Sequence, residues 1–216
     1  IRLDTDTSEP LCRFDRMFAA LREARAASHS YKSIKSRLDD VIANSGAVNE
    51  LERGHLIMDT LRENLAIIDE RWKDVLPDFD RNRDQRKFHD KIIASAIKFV
   101  YGKAFGANEI AIKKYNKIKS IKNAIAFTAP RRFGKSLALG IVIALFLVSI
   151  PGMEICVITQ NPRSADKKTG ILALIKQILT TCFDITNYEA CEKEHLIFNL
   201  PDRRAVHSYS AGVGDG

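Results

Sequence analysis

The sequence predicts an α/β fold, in which helices flank a parallel sheet and a small helical region precedes it at the N-terminus. Three observations predict it. From residue 124 onward, short apolar runs alternate with helix-period segments, the strand–helix–strand–helix order of a parallel sheet. Before residue 76, apolar residues recur only at helical steps of three and four. The longest apolar run, Leu137 to Ile150, falls short of the roughly 20 residues that cross a bilayer, so it reads as a buried helix. Two units are drawn on this basis, 1–80 and 81–216.

The elements follow in chain order. Leu11, Phe14, Met17, Phe18 and Leu21 repeat at helical spacing after Ser8-Glu9-Pro10, a cap followed by a first turn. Tyr31, Ile34, Leu38, Val41 and Ile42 form a second stripe, which Asn44-Ser45-Gly46 ends. Ile57, Leu61, Leu65, Ile68, Trp72 and Val75 form a third and longer one, stopped at Leu76-Pro77-Asp78. A fourth helix is expected over 84–103, with Phe88, Ile92, Ile93, Ala96, Phe99 and Val100 on one face. A lysine-rich connector, 102–122, leads to the apolar run Ala124–Thr128, read as a buried strand. The apolar helix spans 136–150 and stops at Pro151-Gly152. A second strand is expected over 154–160, and then a helix carrying Ile171, Leu172, Leu174, Ile175, Ile178 and Leu179. Residues 195–200 and 205–209 form a hairpin around Pro201-Asp202-Arg203-Arg204.

Charge is unevenly distributed. The chain has 216 residues with 34 Lys+Arg against 27 Asp+Glu, a net +7. Residues 1–100 are neutral and 151–216 nearly so; the excess sits in 101–150, where Glu109 is the only acid. A localised excess argues for a discrete anion site and against a diffuse polycation. The four cysteines, Cys12, Cys156, Cys182 and Cys191, form no CxxC pair and do not cluster with histidine, so no zinc site or disulfide framework is expected and a reducing compartment fits. The N-terminus has no basic-then-apolar signal pattern and no initiator Met, and the chain reads as a fragment of a longer protein.

The most informative segment is Ala129-Pro130-Arg131-Arg132-Phe133-Gly134-Lys135-Ser136, between the expected strand and the apolar helix. A phosphate-binding P-loop reads GxxxxGK[ST]: backbone N–H groups wrap the phosphates, the Lys reaches the outer ones and the hydroxyl binds Mg²⁺. Gly134-Lys135-Ser136 keeps that ending, while Ala129 stands at the first Gly position. Strand before and helix after complete the context, with the phosphates at the helix N-terminus. ATP and Mg²⁺ are therefore the expected cofactors, with Ser136 as metal ligand and Lys135 as a catalytic residue. Arg131 and Arg132 are permanently charged forks, and one of them beside the γ-phosphate would stabilise transition-state charge.

These residues resemble a known family. The strand–Pro-Arg-Arg-x-Gly-Lys-[Ser/Thr]–helix arrangement is similar to the ATPase of the large terminase subunit, the DNA-packaging motor of herpesviruses and tailed phages. Pro130, Arg131, Arg132, Gly134 and Lys135 match the core carried by the herpesvirus branch. The strand ending Thr159-Gln160-Asn161 resembles the family's next block, and Ser208 to Gly216 resembles the approach to its Walker B strand. The resemblance covers residues 80–216. It implies an ATPase that couples hydrolysis to moving double-stranded DNA into a procapsid, acting in a homo-oligomeric ring with a portal and other terminase subunits. It also implies an arginine finger supplied in cis by Arg131 or Arg132, an adenine-reading glutamine for which Gln85 is the candidate, and a nuclease domain elsewhere in the full protein. The implied location is the host cell, in the nucleus for the herpesvirus type, with no membrane association.

Hydrolysis also needs a metal-binding acid and a carboxylate that positions water, usually four apolar residues followed by Asp-Glu. No such block follows Ser136, so the chain is expected to end before Walker B. Leu65-Ala66-Ile67-Ile68-Asp69-Glu70 mimics it, but Leu65 and Ile68 belong to the helical stripe, which puts Asp69-Glu70 in mid-helix. Lys103, Lys113, Lys114, Lys117, Lys119 and Lys122 form the connector's basic patch, read either as a contact to DNA phosphates or as a solvated loop. The alternatives are a P-loop helicase or translocase, and a non-catalytic helical docking module in residues 1–76.

Overall fold

The computed structural model describes residues 49–128, 134–159, 170–186, 188–189, 195–198 and 204–210. The first two expected helices and Ala129 to Phe133 lie outside the described residues. The elements are α1 (Glu50–Val75), α2 (Arg83–Tyr101), α3 (Ala104–Tyr115), α4 (Lys135–Ser149), β1 (Glu154–Thr159), α5 (Ile171–Phe183), β2 (Tyr188–Glu189), β3 (His195–Phe198) and β4 (Arg204–Ser210). Helix and strand are mixed, with helix predominating.

Asn49 starts α1 by accepting from the Glu52 N–H at 3.0 Å. The expected stripe is its buried face: Ile57, Leu61, Leu65, Ile68, Trp72 and Val75 are all in the core. Asp69 and Glu70 lie inside this helix, as the periodicity requires. Helix α2 opens with a capping box: Asn82 Oδ1 accepts from the Gln85 N–H and Gln85 Oε1 accepts from the Asn82 N–H, at 2.9 and 3.0 Å. It ends two residues earlier than expected, at Tyr101, with Gly102 as its C-cap. Phe99 departs from its assigned face and is 62% exposed. The inward face instead carries Gln85, Phe88, His89, Ile93, Ala96, Ile97 and Val100.

Helix α4 is apolar all round because other elements surround it. It packs against α1, α2 and α5, and Ile141 to Leu145 are nearly inaccessible. Gly140 allows the close approach to α5: a Cβ there would stand 2.9 Å from Leu174 Cδ2. One hydrophobic cluster runs from Ile57 of α1 through α2, α4 and α5 to Val157 and Val206 of the sheet. The core is thus continuous across residue 80.

The sheet has the order β1-β4-β3-β2. β1 and β4 pair in parallel, Glu154 opposite Ala205 through Thr159 opposite Ser210. β3 and β4 form the expected antiparallel hairpin, Phe198 opposite Arg204, and β2 adds a short antiparallel edge. Arg204, expected in the turn, is the first residue of β4 and fully buried; its Nη1 donates to the Leu147 carbonyl at 2.7 Å. That contact sets a cation on the C-terminal turn of α4, where the helix dipole favours it.

Two further expectations are corrected. Ala124–Thr128 is not a strand: no other described segment pairs with it, so it has the side-chain alternation of a strand without the ladder. Ile125 and Phe127 are half-buried, Ala124, Ala126 and Thr128 are exposed, and Phe127 stacks on Phe88 with centroids 4.3 Å apart. The lysine-rich connector is largely helical, because α3 fills 104–115. This helix is weakly amphipathic, kinks at Asn108 and fully buries only Ile112.

Candidate functional site

The apolar helix α4 begins where the phosphate motif ends. Gly134 is its N-cap and stands at φ 80°, ψ 29°, a left-handed conformation that a side chain disfavours. Among the described residues no side chain caps the helix, and its first turn contains no acidic residue. The first-turn N–H groups of any α-helix lack intrahelical partners and carry the positive end of the macrodipole. Lys135 and Ser136 follow at once and are exposed. Gly134, Lys135 and Ser136 thus bring a left-handed backbone, a cation and a hydroxyl to the start of one helix.

The other wall is Gln85. This residue is 8% exposed, at the third position of α2, and its Nε2 would lie 3.0 Å from a Cβ placed on Gly134. The sequence-selected glutamine therefore meets the sequence-selected glycine across a gap that only a hydrogen fills comfortably. Its amide oxygen is engaged in the capping box, which fixes the direction in which the Nε2 points. Of the other residues expected at the site, Ala129, Pro130, Arg131, Arg132 and Phe133 lie outside the described residues.

Against the first turn of α4 lies a polar chain that the motif does not include. Asp69 of α1 accepts from Arg81 twice, from Nε at 2.6 Å and from Nη2 at 2.5 Å. The Arg81 Nη1 stands 2.7 Å from His89 Nδ1, and His89 Nε2 stands 2.9 Å from the Ala138 carbonyl in the first turn of α4. Guanidinium has only donors, so Nδ1 must accept; Nε2 then carries the hydrogen and donates to Ala138. Burial pushes the imidazole pKa down to about 4, and the Arg81 charge adds to that, so His89 is neutral. The sequence signal that could have revealed this chain is Gln85 and His89 at i, i+4 on the buried stripe of α2, two polar residues among apolar ones.

No protein-family model and no curated protein matches the chain. The site must therefore be read from its own residues.

The lysine patch runs from Lys103, the N-cap of α3, along that helix and the segment after it. Lys113 pairs with Glu109, whose carboxyl it holds below the ordinary range. Lys103, Lys114, Lys117, Lys119 and Lys122 are exposed. The tyrosines interleaved with them serve the fold. The Tyr101 hydroxyl accepts from Asn116 Nδ2 at 2.9 Å and lies 2.7 Å from His55 Nδ1, and Tyr115 donates to Asp59 at 2.5 Å. Among the described residues, no group of three or more His, Cys, Asp or Glu could hold a metal, and no helix is long and apolar enough to cross a membrane. Cys182 is buried, which pushes its thiol up to about 12, and Cys156 is exposed.

Proposed function

We propose that the chain is the nucleotide-binding part of a P-loop ATPase of terminase type, a motor that spends ATP to move double-stranded DNA into a procapsid. The observation that carries the nucleotide reading is the left-handed Gly134 at the uncapped start of α4, followed by exposed Lys135 and Ser136. These residues fit a magnesium nucleotide. A Cβ at Gly134 would fill the cradle beside Gln85, Lys135 supplies a cation for the outer phosphates, and the Ser136 hydroxyl supplies one hard oxygen ligand. A single protein oxygen suits Mg²⁺, which keeps most of its shell as water and phosphate oxygens. When bound, Mg²⁺ neutralises charge on the phosphate oxygens. Arg131 or Arg132 would face the transferred phosphoryl group.

The Pro130-Arg131-Arg132 core supports a terminase rather than a general NTPase, by resemblance. The exposed lysines of 103–122 support a DNA-phosphate contact, in the host nucleus for a herpesvirus-type motor. A ring of copies and a portal follow from the same resemblance. The test of the nucleotide reading is whether Lys135→Ala removes Mg·ATP binding.

A further inference from the structure

We propose that Asp69, Arg81 and His89 form a positioning relay that fixes the first turn of α4, the turn that carries Gly134, Lys135 and Ser136. The inference rests on the nucleotide reading above and assigns to that site residues outside the loop motif. The relay runs from α1, through the α1–α2 connection, across α2, and ends on a backbone atom three residues past Lys135. Two of its members are deeply placed, His89 at 0% and Arg81 at 6% exposed, while the Asp69 carboxylate is half-buried. Each bond in it has one possible direction. Asp69 only accepts, Arg81 only donates, and His89 must accept at Nδ1 and donate at Nε2.

The end point matters most. The Ala138 N–H donates to the Gly134 carbonyl at 2.9 Å, so Ala138 closes the first turn that starts at the loop's glycine. A donor seated on the Ala138 carbonyl fixes where that turn lies along the helix axis. Gln85, one turn before His89 on the same face of α2, holds the other side of Gly134. Helix α2 thus grips the loop end at two points, with Gln85 against Gly134 and His89 against Ala138. These residues touch the loop and its helix and are placed to act through them, so they are positioning residues.

The test uses Mg·ATP titrations of the full chain, well below the unfolding temperature. His89→Gln keeps an amide donor at the Nε2 position, His89→Asn places its amide at the Nδ1 position, and His89→Leu keeps neither. The relay predicts that His89→Leu weakens Mg·ATP binding about tenfold, that His89→Gln recovers most of the loss and that His89→Asn does not. A merely structural histidine would lower the melting temperature of all three and leave affinity below that temperature alone. Equal affinity for Gln and Asn variants, or unchanged affinity for Leu, overturns the relay. If Leu does not fold, the Gln–Asn comparison decides by itself. Wild-type protein that binds no Mg·ATP would instead refute the nucleotide reading on which the relay rests, and unchanged binding on Lys135→Ala would refute its assignment to this loop.

Discussion

Replacing Gly134 by alanine probes the loop from its backbone. Two costs arise. An L-residue in the left-handed region pays about 1–2 kcal/mol. The new methyl also meets Gln85 Nε2 at 3.0 Å, a tight contact in which the neighbour must give. Gln85 cannot give freely, because its oxygen holds the Asn82 N–H and its own N–H is held by Asn82. Displacing it loosens a capping box worth about 1 kcal/mol. The sum is about 2–3 kcal/mol, which for a chain of this size is a fall in melting temperature of roughly 5–10 °C. Urea denaturation of wild type, Gly134→Ala, Gln85→Ala and the double variant separates the two costs. Gln85→Ala alone removes the box, so the double variant should cost about 0.5–1 kcal/mol less than the sum of the singles. A Gly134→Ala protein within about 0.5 kcal/mol of wild type would refute the reasoning, and strict additivity would refute the Gln85 contact.

Two further outcomes follow from the same geometry. His89, held down to about 4 in the fold, ordinarily titrates near 6.5. The unfolded chain therefore binds the extra proton between those values. Stability is whole above 6.5 and falls as pH drops towards 4, by about 2–3 kcal/mol more in wild type than in His89→Leu. Parallel pH profiles for the two proteins would contradict the neutral, buried imidazole. Replacing Lys114, Lys117 and Lys119 by glutamate should weaken binding of a double-stranded DNA fragment and lower the slope of log K against log salt by about 2–3. An unchanged slope would leave those lysines as a solvated surface.

How far the sequence reveals the molecule depends on what each element's residues compete with. The stripe Ile57 to Val75 is legible because its steps of three and four leave no alternative, and the same periodicity rejects Asp69-Glu70 as a metal-binding pair. Asp69 instead pairs with Arg81, a partner that no local pattern reveals because it lies beyond the Pro77 break. Helix α3 is hidden by Gly106, the kink at Asn108 and its many lysines, and it buries too little to leave a stripe. Ala124–Thr128 shows the opposite failure. Its alternation is that of a strand, but a strand also needs a neighbour, and pairing is a property of the fold. Arg204 looked like a turn residue because Pro201-Asp202 precede it, yet the end of α4 draws it into the core. At the site, Gly134, Lys135 and Ser136 are legible as a motif. Their support by Gln85 and His89 from α2 is tertiary and becomes visible only in the fold.

The measurement that bears most directly on the central claim is a calorimetric titration of Mg·ATP into the wild-type chain and into Lys135→Ala. A lysine ammonium on phosphate oxygens is worth about 2–3 kcal/mol, so wild type should show saturable one-site binding and the variant a loss of about 100-fold. Equal binding by the two proteins would contradict it.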